Sequence, residues 1–214
     1  MEVLNVIPPV TSFLQVKLDK VTVDYLWEII EMAKSKNINY KSNLVGNISK
    51  SLLLEDIDSF FYKSVCIPLI KFYREIHPKR VDPVAQNSLL GPKSQLVLNK
   101  FWVNYQYKTE FNPYHDHSGV YSFAIWMKIP YTSDEQKKLP QFSDIKEEDI
   151  KAGSFEFEYI DTLGSVTNYS YKLSKQFEDI MVFFPASLRH CVYPFYDTDE
   201  PRISISGNLS YLPL

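Results

Sequence analysis

The chain has 214 residues, of which 45% are hydrophobic and 23% charged, as expected for one globular domain with a substantial core. Its formal net charge of −3 argues against non-specific binding to nucleic acid. The sequence opens without a signal-peptide pattern and contains no apolar run long enough to span a membrane, which favours a cytoplasmic protein. Cys66 and Cys191 match no zinc or redox spacing and are expected to be buried thiols.

The N-terminal third of the sequence is predicted to be mainly helical. A first strand is expected over residues 10–18, followed by a helix over residues 23–36 with Thr22 as its N-cap. A second helix is predicted over residues 55–76, and Pro68 is expected to kink or divide it because proline lacks the N–H that a helix interior needs.

The remainder of the chain is predicted to be β-structure, because short runs rich in aromatic and β-branched residues alternate there with turn signals. Strands are expected over residues 96–107, 121–130, 154–160, 166–173, 180–184, 191–196 and 203–209. Residues 77–92 read as a connection, and residues 131–153 as a charged, exposed loop. The pattern predicts an all-β core with flanking helices (α+β), in which a jelly roll follows the N-terminal helices.

One domain is expected to include the whole chain. In this prediction residues 1–92 form a helical part that packs on a β core of residues 93–214.

Two histidines lie two residues apart in the run Asn112-Pro113-Tyr114-His115-Asp116-His117. Alternate residues of a strand point to the same face, so His115 and His117 can chelate one metal ion if this segment is extended. A third histidine, His190, lies far downstream at the junction of two apolar segments. Imidazole suits iron, zinc, copper and nickel, so the three residues are a candidate catalytic metal site.

The third ligand of this site has two alternatives. Oxygen-activating iron sites usually combine two histidines with one carboxylate, but the residue two positions after His115 is His117. The nearby carboxylate of Asp116 points away in a regular strand and reaches the metal only if a bulge or turn changes the register. The spacing favours the three histidines, with Asp116 as the alternative ligand.

A candidate anion site lies near the C-terminus. Arg202 and Ser204 share one face of a predicted strand, and a buried arginine requires a carboxylate or phosphate partner. The alternative is an exposed arginine on an edge strand. On an earlier strand, Asn104 and Gln106 share one face while Tyr105 lies on the other, and either face could complete a co-substrate pocket.

These motifs, in this order, resemble those of the 2-oxoglutarate- and iron(II)-dependent oxygenases, and in particular oxygenases of marine phages and bacteria. The resemblance covers about residues 96–210. The motifs that carry it are His115-x-His117, residues 122–130, Phe184-Pro185 with His190, and Arg202-Ile203-Ser204.

The resemblance implies a double-stranded β-helix with a metal at one open end. His115 and His190 match the two histidine ligands of the family, whereas His117 occupies the position where most members have a carboxylate. Arg202 matches the residue that binds the distal carboxylate of 2-oxoglutarate, with Ser204 beside it.

Two further groups of residues follow from the resemblance. Tyr105 and Asn104 lie on the strand that often supplies another co-substrate contact. An apolar shell around the metal is expected from Phe123, Ile125, Phe183 and Val192.

The activity that the resemblance implies uses Fe(II), 2-oxoglutarate and O2. Such an enzyme hydroxylates a substrate C–H bond and releases succinate and CO2, and prolyl hydroxylation is one candidate. The substrate would be a protein, a peptide or a small molecule, with no nucleic acid or membrane partner. A homodimer is the default expectation for the oligomeric state.

Two other functions fit the same residues. One is a three-histidine dioxygenase that does not use 2-oxoglutarate, although Arg202 and Ser204 argue against it. The other is a non-catalytic jelly-roll binding or assembly module, in which the histidines are structural or hold zinc. Affinity for iron and 2-oxoglutarate separates the enzyme from the module.

Overall fold

The computed structural model of the chain describes residues 12–77 and 96–211, and antiparallel strands dominate it. The strands are β1 Leu14–Lys17, β2 Lys50–Leu53, β3 Leu96–Gln106, β4 Asn112–His115, β5 Tyr121–Lys128, β6 Ser154–Ile160, β7 Val166–Lys172, β8 Ile180–Pro185, β9 Arg189–Val192 and β10 Arg202–Tyr211. The α-helices are α1 Lys20–Lys36, α2 Ile67–Ile76 and α3 Ser133–Gln136. Of the predicted connection over residues 77–92, all but His77 lies outside the described residues.

Helix α1 begins earlier than the sequence pattern predicts. Asp19 is its N-cap, and the carboxylate accepts a hydrogen bond of 2.8 Å from the backbone N–H of Thr22. The prediction of Thr22 as the cap was therefore wrong, because its side chain is buried within the first turn instead. None of the helices in the described residues is both long and apolar enough to cross a membrane.

The second predicted helix is interrupted before Pro68. A π-helical turn over Tyr62–Cys66 comes directly before α2, and Pro68 lies in the first turn of α2. Proline cannot donate to the carbonyl four residues earlier and its ring crowds that carbonyl, so a wider turn at this point is physically reasonable. The helical segment begins where Asp56 accepts hydrogen bonds from the backbone N–H groups of Phe61 and Tyr62, each at 2.9 Å.

Two antiparallel sheets form the β core. The larger has the order β1-β8-β5-β10-β3-β2, and the smaller has the order β4-β9-β6-β7. Strands β3 to β10 supply four members to each sheet, and this order is that of a double-stranded β-helix, or jelly roll. The predicted fold class is thus confirmed. The order also makes β4 and β9 neighbours, which places the segments around His115 and His190 side by side.

Some strands differ from the prediction. β2 and β4 were not predicted as separate strands, because they are short and β4 contains Pro113; their extended backbone depends on pairing with β3 and β9. β1 lies within the strand predicted over residues 10–18, whereas the unpredicted β2 makes the N-terminal part less helical than expected; the two strands form the edges of the larger sheet. β9 begins at Arg189, so His190 lies inside a strand.

The larger sheet separates two apolar clusters. On its outer face, side chains of α1 and α2 pack against odd-numbered residues of β3, and the Phe61 and Phe101 rings stack with centroids 5.5 Å apart. Between the sheets, the second cluster includes Trp126, Phe157 and Phe184. The helical and β segments therefore share a core, while the extension of a single domain to all 214 residues stays a prediction. Both cysteines are buried free thiols, as expected.

Candidate active site

The three histidines converge where β4 pairs with β9. The register of β4 and β9 pairs His115 directly with His190, and their ring centroids are 4.3 Å apart. His117 follows β4, and its backbone N–H donates to the Ala186 carbonyl at 2.9 Å. Its ring lies 5.0 Å from each of the other two. One potential ligand atom from each of the three residues lies within 4.8 Å of the others, a spacing that one metal ion can bridge.

Backbone carbonyls orient two of the imidazoles. Nδ1 of His115 is 2.7 Å from the Pro113 carbonyl, and Nδ1 of His190 is 3.0 Å from the Leu188 carbonyl. A carbonyl can only accept, so each Nδ1 carries the proton and donates it. The lone pair of Nε2 is then free for a metal, and the hydrogen bond fixes the orientation of the ring.

Burial keeps this cluster uncharged near neutral pH. Desolvation is the largest cause that lowers the pKa of His115 and, much more strongly, that of His190. Desolvation, assisted by the neighbouring His115, lowers the pKa of His117 to about 3. Neutral imidazole is the form that binds metal, so all three histidines can coordinate a metal ion without first losing a proton.

Asp116 lies outside the histidine cluster. Its side chain is exposed and contributes to the rim of the cavity, whereas His117 is partly buried and lies beside the other two histidines. β4 ends at His115; in the segment that follows, the Asp116 side chain is exposed, whereas the His117 ring lies 5.0 Å from each of the other two histidine rings. The geometry therefore favours the alternative in which His117, and not Asp116, is the third ligand.

A cavity of about 200 Å³ leads from the histidines into the space between the sheets. Asn104 on β3, together with Arg202 and Ser204 on β10, lines this cavity. Tyr105 does not, because adjacent residues of a strand face opposite sides. It packs in the outer cluster, with the Lys50 ammonium 4.7 Å from its ring centre. Tyr105 therefore faces away from the cavity, and its prediction as a co-substrate contact was wrong.

Arg202 is buried at 2% exposure inside this cavity. Its guanidinium donates to the Tyr131 hydroxyl oxygen at 2.5 Å and to Oε1 of Gln106. No carboxylate in the two described segments forms an ion pair with it. A buried cation without a counter-ion is costly, so this arrangement fits an anionic ligand. The alternative of an exposed arginine on an edge strand is wrong, since β10 lies inside the larger sheet.

Tyr131 is the residue of this site that the sequence did not indicate. It belongs to residues 131–153, which were predicted to be exposed, yet its ring is 4% exposed and stacks on Phe195. Its hydroxyl donates to the Gly153 carbonyl at 2.9 Å while it accepts from Arg202. Burial raises the pKa of this phenol, against the opposing effect of Arg202, so the hydroxyl stays protonated. No motif distinguishes Tyr131 in the sequence. The one signal was its position directly after the strand predicted over residues 121–130.

Aromatic rings form the wall behind the three histidines. Phe155 stacks on His190 with centroids 5.6 Å apart, and Phe184 contacts the same imidazole edge-on at 5.0 Å. Of the predicted apolar shell, Val192 borders the cavity. The other three members, Phe123, Ile125 and Phe183, lie in the outer cluster against the helices, where Phe123 packs on Phe61 and Phe101, so that part of the prediction was wrong.

The segment between α1 and β2 covers part of the cavity. Tyr40 stacks on Trp102 at 5.4 Å, and Leu44 and Ile48 also line the space. The indole N–H of Trp102 is buried without an acceptor among the described residues, and its ring lies 6.1 Å from that of His117. A buried donor of this kind fits a ligand that offers an oxygen acceptor.

The site lies within a region that matches a known protein family. Residues 100–208, just over half of the chain, match the model of a family described as "Putative 2OG-Fe(II) oxygenase". A comparison with curated proteins found no match.

Two solved structures resemble the chain at low sequence identity. One is a Pseudomonas putida prolyl-4-hydroxylase, at 12% identity and a TM-score of 0.48, with 94% of this chain and 92% of that chain covered. The other is a 2OG-Fe(II) oxygenase family oxidoreductase from Burkholderia pseudomallei, at 9% identity and a TM-score of 0.49, with 92% and 84% covered. Because the family model matches more than half of the chain, the chain belongs to the 2OG-Fe(II) oxygenase family.

Proposed function

We propose that the protein is a dioxygenase dependent on Fe(II) and 2-oxoglutarate that hydroxylates a C–H bond of its substrate. The observation that carries the proposal is the presence, in one cavity, of three converging imidazoles and a buried arginine that has no carboxylate partner among the described residues. The imidazoles alone suit several metals. The arginine adds the requirement for an anionic co-substrate near the metal.

The residues present would divide the work as follows. His115, His117 and His190 would hold the iron through nitrogen atoms that burial keeps neutral. Arg202 would pair with the distal carboxylate of 2-oxoglutarate, while Tyr131 and Gln106 hold its guanidinium in place. When bound, iron and 2-oxoglutarate supply the oxidative chemistry that releases succinate and CO2 and transfers oxygen to the substrate.

Only the general class of the substrate is proposed. Prolyl hydroxylation of a protein or peptide is a candidate, because prolyl hydroxylases share the order of the motifs. A small-molecule substrate fits the same site. A cytoplasmic location and a homodimer stay predictions.

Succinate formation tests the proposed activity. Protein incubated with Fe(II), 2-oxoglutarate and O2 is expected to form succinate as 2-oxoglutarate is consumed, slowly alone and faster with a substrate such as a proline-containing peptide. Omission of iron should stop the reaction. Binding of Fe(II) and 2-oxoglutarate, measured without O2, gives a readout that needs no substrate.

A second candidate is a three-histidine dioxygenase that acts without 2-oxoglutarate. The observation that favours it is His117, which converges with the other histidines where a carboxylate is usual. Oxygen consumption with a substrate but without any turnover of 2-oxoglutarate would support this candidate. Tight zinc binding with no affinity for 2-oxoglutarate would instead indicate a non-catalytic module.

Paired substitutions decide the third ligand. His117→Ala is expected to weaken Fe(II) binding by at least the ~10–100-fold that loss of even an outer contact causes in metal sites. Asp116→Ala should leave the affinity unchanged, because its side chain is exposed and outside the cluster. Anaerobic titration with Fe(II) measures both. The opposite ranking of the two variants would assign the ligand to Asp116.

A further inference from the structure

A row of polar residues lies directly behind the metal ligands, on the outer face of the smaller sheet. In the register of the sheet, Cys191 pairs with Glu156, and Glu156 pairs with Ser170. Tyr114 precedes His115 on β4, and Cys191 follows His190 on β9. Adjacent residues of a strand face opposite sides, so this outer row backs the inner row that contains His115 and His190.

The carboxylate of Glu156 is the centre of the outer row. It is 2% exposed, although it faces away from the cavity. Its Oε1 accepts hydrogen bonds from the Tyr114 hydroxyl at 2.5 Å and from the Asn168 amide at 2.8 Å. Its Oε2 accepts from the Ser170 hydroxyl and lies 3.1 Å from the Lys151 ammonium. Burial alone raises the pKa of Glu156, but these donors more than offset that effect and lower it, so the group is a carboxylate at neutral pH.

The backbone of β4 gives His115 little support. β4 is an edge strand, its Pro113 has no N–H, and its pairing with β9 is irregular between Asn112 and His115. The Tyr114 side chain adds a second attachment, because its hydroxyl reaches across β9 to Glu156 on β6.

We propose that Glu156 is a positioning residue that, through Tyr114, fixes the separation of the strand that carries His115 from the strand that carries His190. The proposal rests on the proposed metal site. Cys191 lies between Tyr114 and Glu156 in the row and is buried.

Two matched substitutions separate this role from a general contribution to stability. Tyr114→Phe and Ser170→Ala each remove one hydroxyl that donates to Glu156, but only Tyr114 lies on a strand that carries a metal ligand. Titration of the metal-free proteins with Co(II), followed by visible absorption, measures both the affinity and the ligand geometry. Tyr114→Phe is expected to weaken binding by ~10-fold, the low end of the range for outer partners of metal ligands, and to change the spectrum, because Tyr114 acts on His115 only through the backbone of β4. Ser170→Ala should change neither.

A conservative exchange at the carboxylate gives a second readout. Glu156→Gln keeps an oxygen that accepts from Tyr114 and should retain most of the Co(II) affinity that Glu156→Ala loses. Wild-type affinity in Tyr114→Phe, or an equal loss in Ser170→Ala, would overturn the proposal. Absence of Co(II) and Fe(II) binding in the wild-type protein would overturn the metal site itself, and this inference with it.

Discussion

His190→Ala is expected to abolish iron binding. His190 is 4% exposed, and its Nε2 is directed to the cluster because Nδ1 donates to the Leu188 carbonyl. The alanine variant leaves only two histidines at a site where Asp116, the one carboxylate that lines the cavity among the described residues, lies outside the histidine cluster. The loss should exceed the ~10–100-fold that outer partners of metal ligands contribute. Anaerobic titration with Fe(II), with succinate formation as a second measurement, checks this result.

The chain contains its own control for this substitution. His77, the fourth histidine, lies beyond α2 and bonds to the Ser12 hydroxyl at 2.9 Å, away from the metal cluster. His77→Ala should bind iron like the wild-type protein. His190→Gln keeps more of the side-chain volume than alanine, so it separates loss of a ligand from a packing defect in the aromatic wall. Normal iron affinity in a folded His190→Ala protein would contradict the three-histidine site.

Arg202→Ala is expected to remove most of the affinity for 2-oxoglutarate while the affinity for iron is retained. Truncation of one partner in a buried, hydrogen-bonded charge pair costs about 2–5 kcal/mol, which corresponds to a loss on the order of 30-fold to several thousand-fold. Arg202 is buried without a carboxylate partner in the described part of the chain, so a bound dicarboxylate would supply its counter-ion. Calorimetry with 2-oxoglutarate on the protein loaded with a redox-inert metal measures the change.

Two other arginine variants sharpen this test. Arg189 precedes His190 on β9 but is exposed and paired with Glu158 on the outer face of the sheet, so Arg189→Ala should leave 2-oxoglutarate binding unchanged. Arg202→Lys keeps the charge but loses the planar fork, and an intermediate affinity is expected. An unchanged dissociation constant in Arg202→Ala would place the anion site elsewhere.

Local patterns predicted the parts of the site that depend on strand alternation. The spacing of His115 and His117, and that of Arg202 and Ser204, follows from the two-residue period of an extended chain. The same rule cannot say which face of a strand meets the cavity. Asn104 and Tyr105 were therefore both candidates, and only the packing of α1 and α2 on the larger sheet assigned Tyr105 to the outer cluster.

Other features depend on contacts between residues far apart in sequence. Tyr131 reaches Arg202 across 71 positions, and Tyr114 reaches Glu156 across 42. The short strand β4 is extended because it pairs with β9, so its own composition was a weak guide. Such contacts leave no periodic signal along the chain.

The sequence by itself determined the fold class, the candidate metal-binding histidines and the candidate anion-binding arginine. Hydrophobic periodicity, residue spacing and the order of the motifs can all be read along the chain without knowledge of its contacts. Only the tertiary structure decided that His115, His117 and His190 share a site from which Asp116 is excluded. It also decided that Arg202 is buried beside Tyr131 and without a carboxylate partner among the described residues. The physical reason is that convergence and burial are set by the pairing of β4 with β9 and by the closing of two sheets over one cavity.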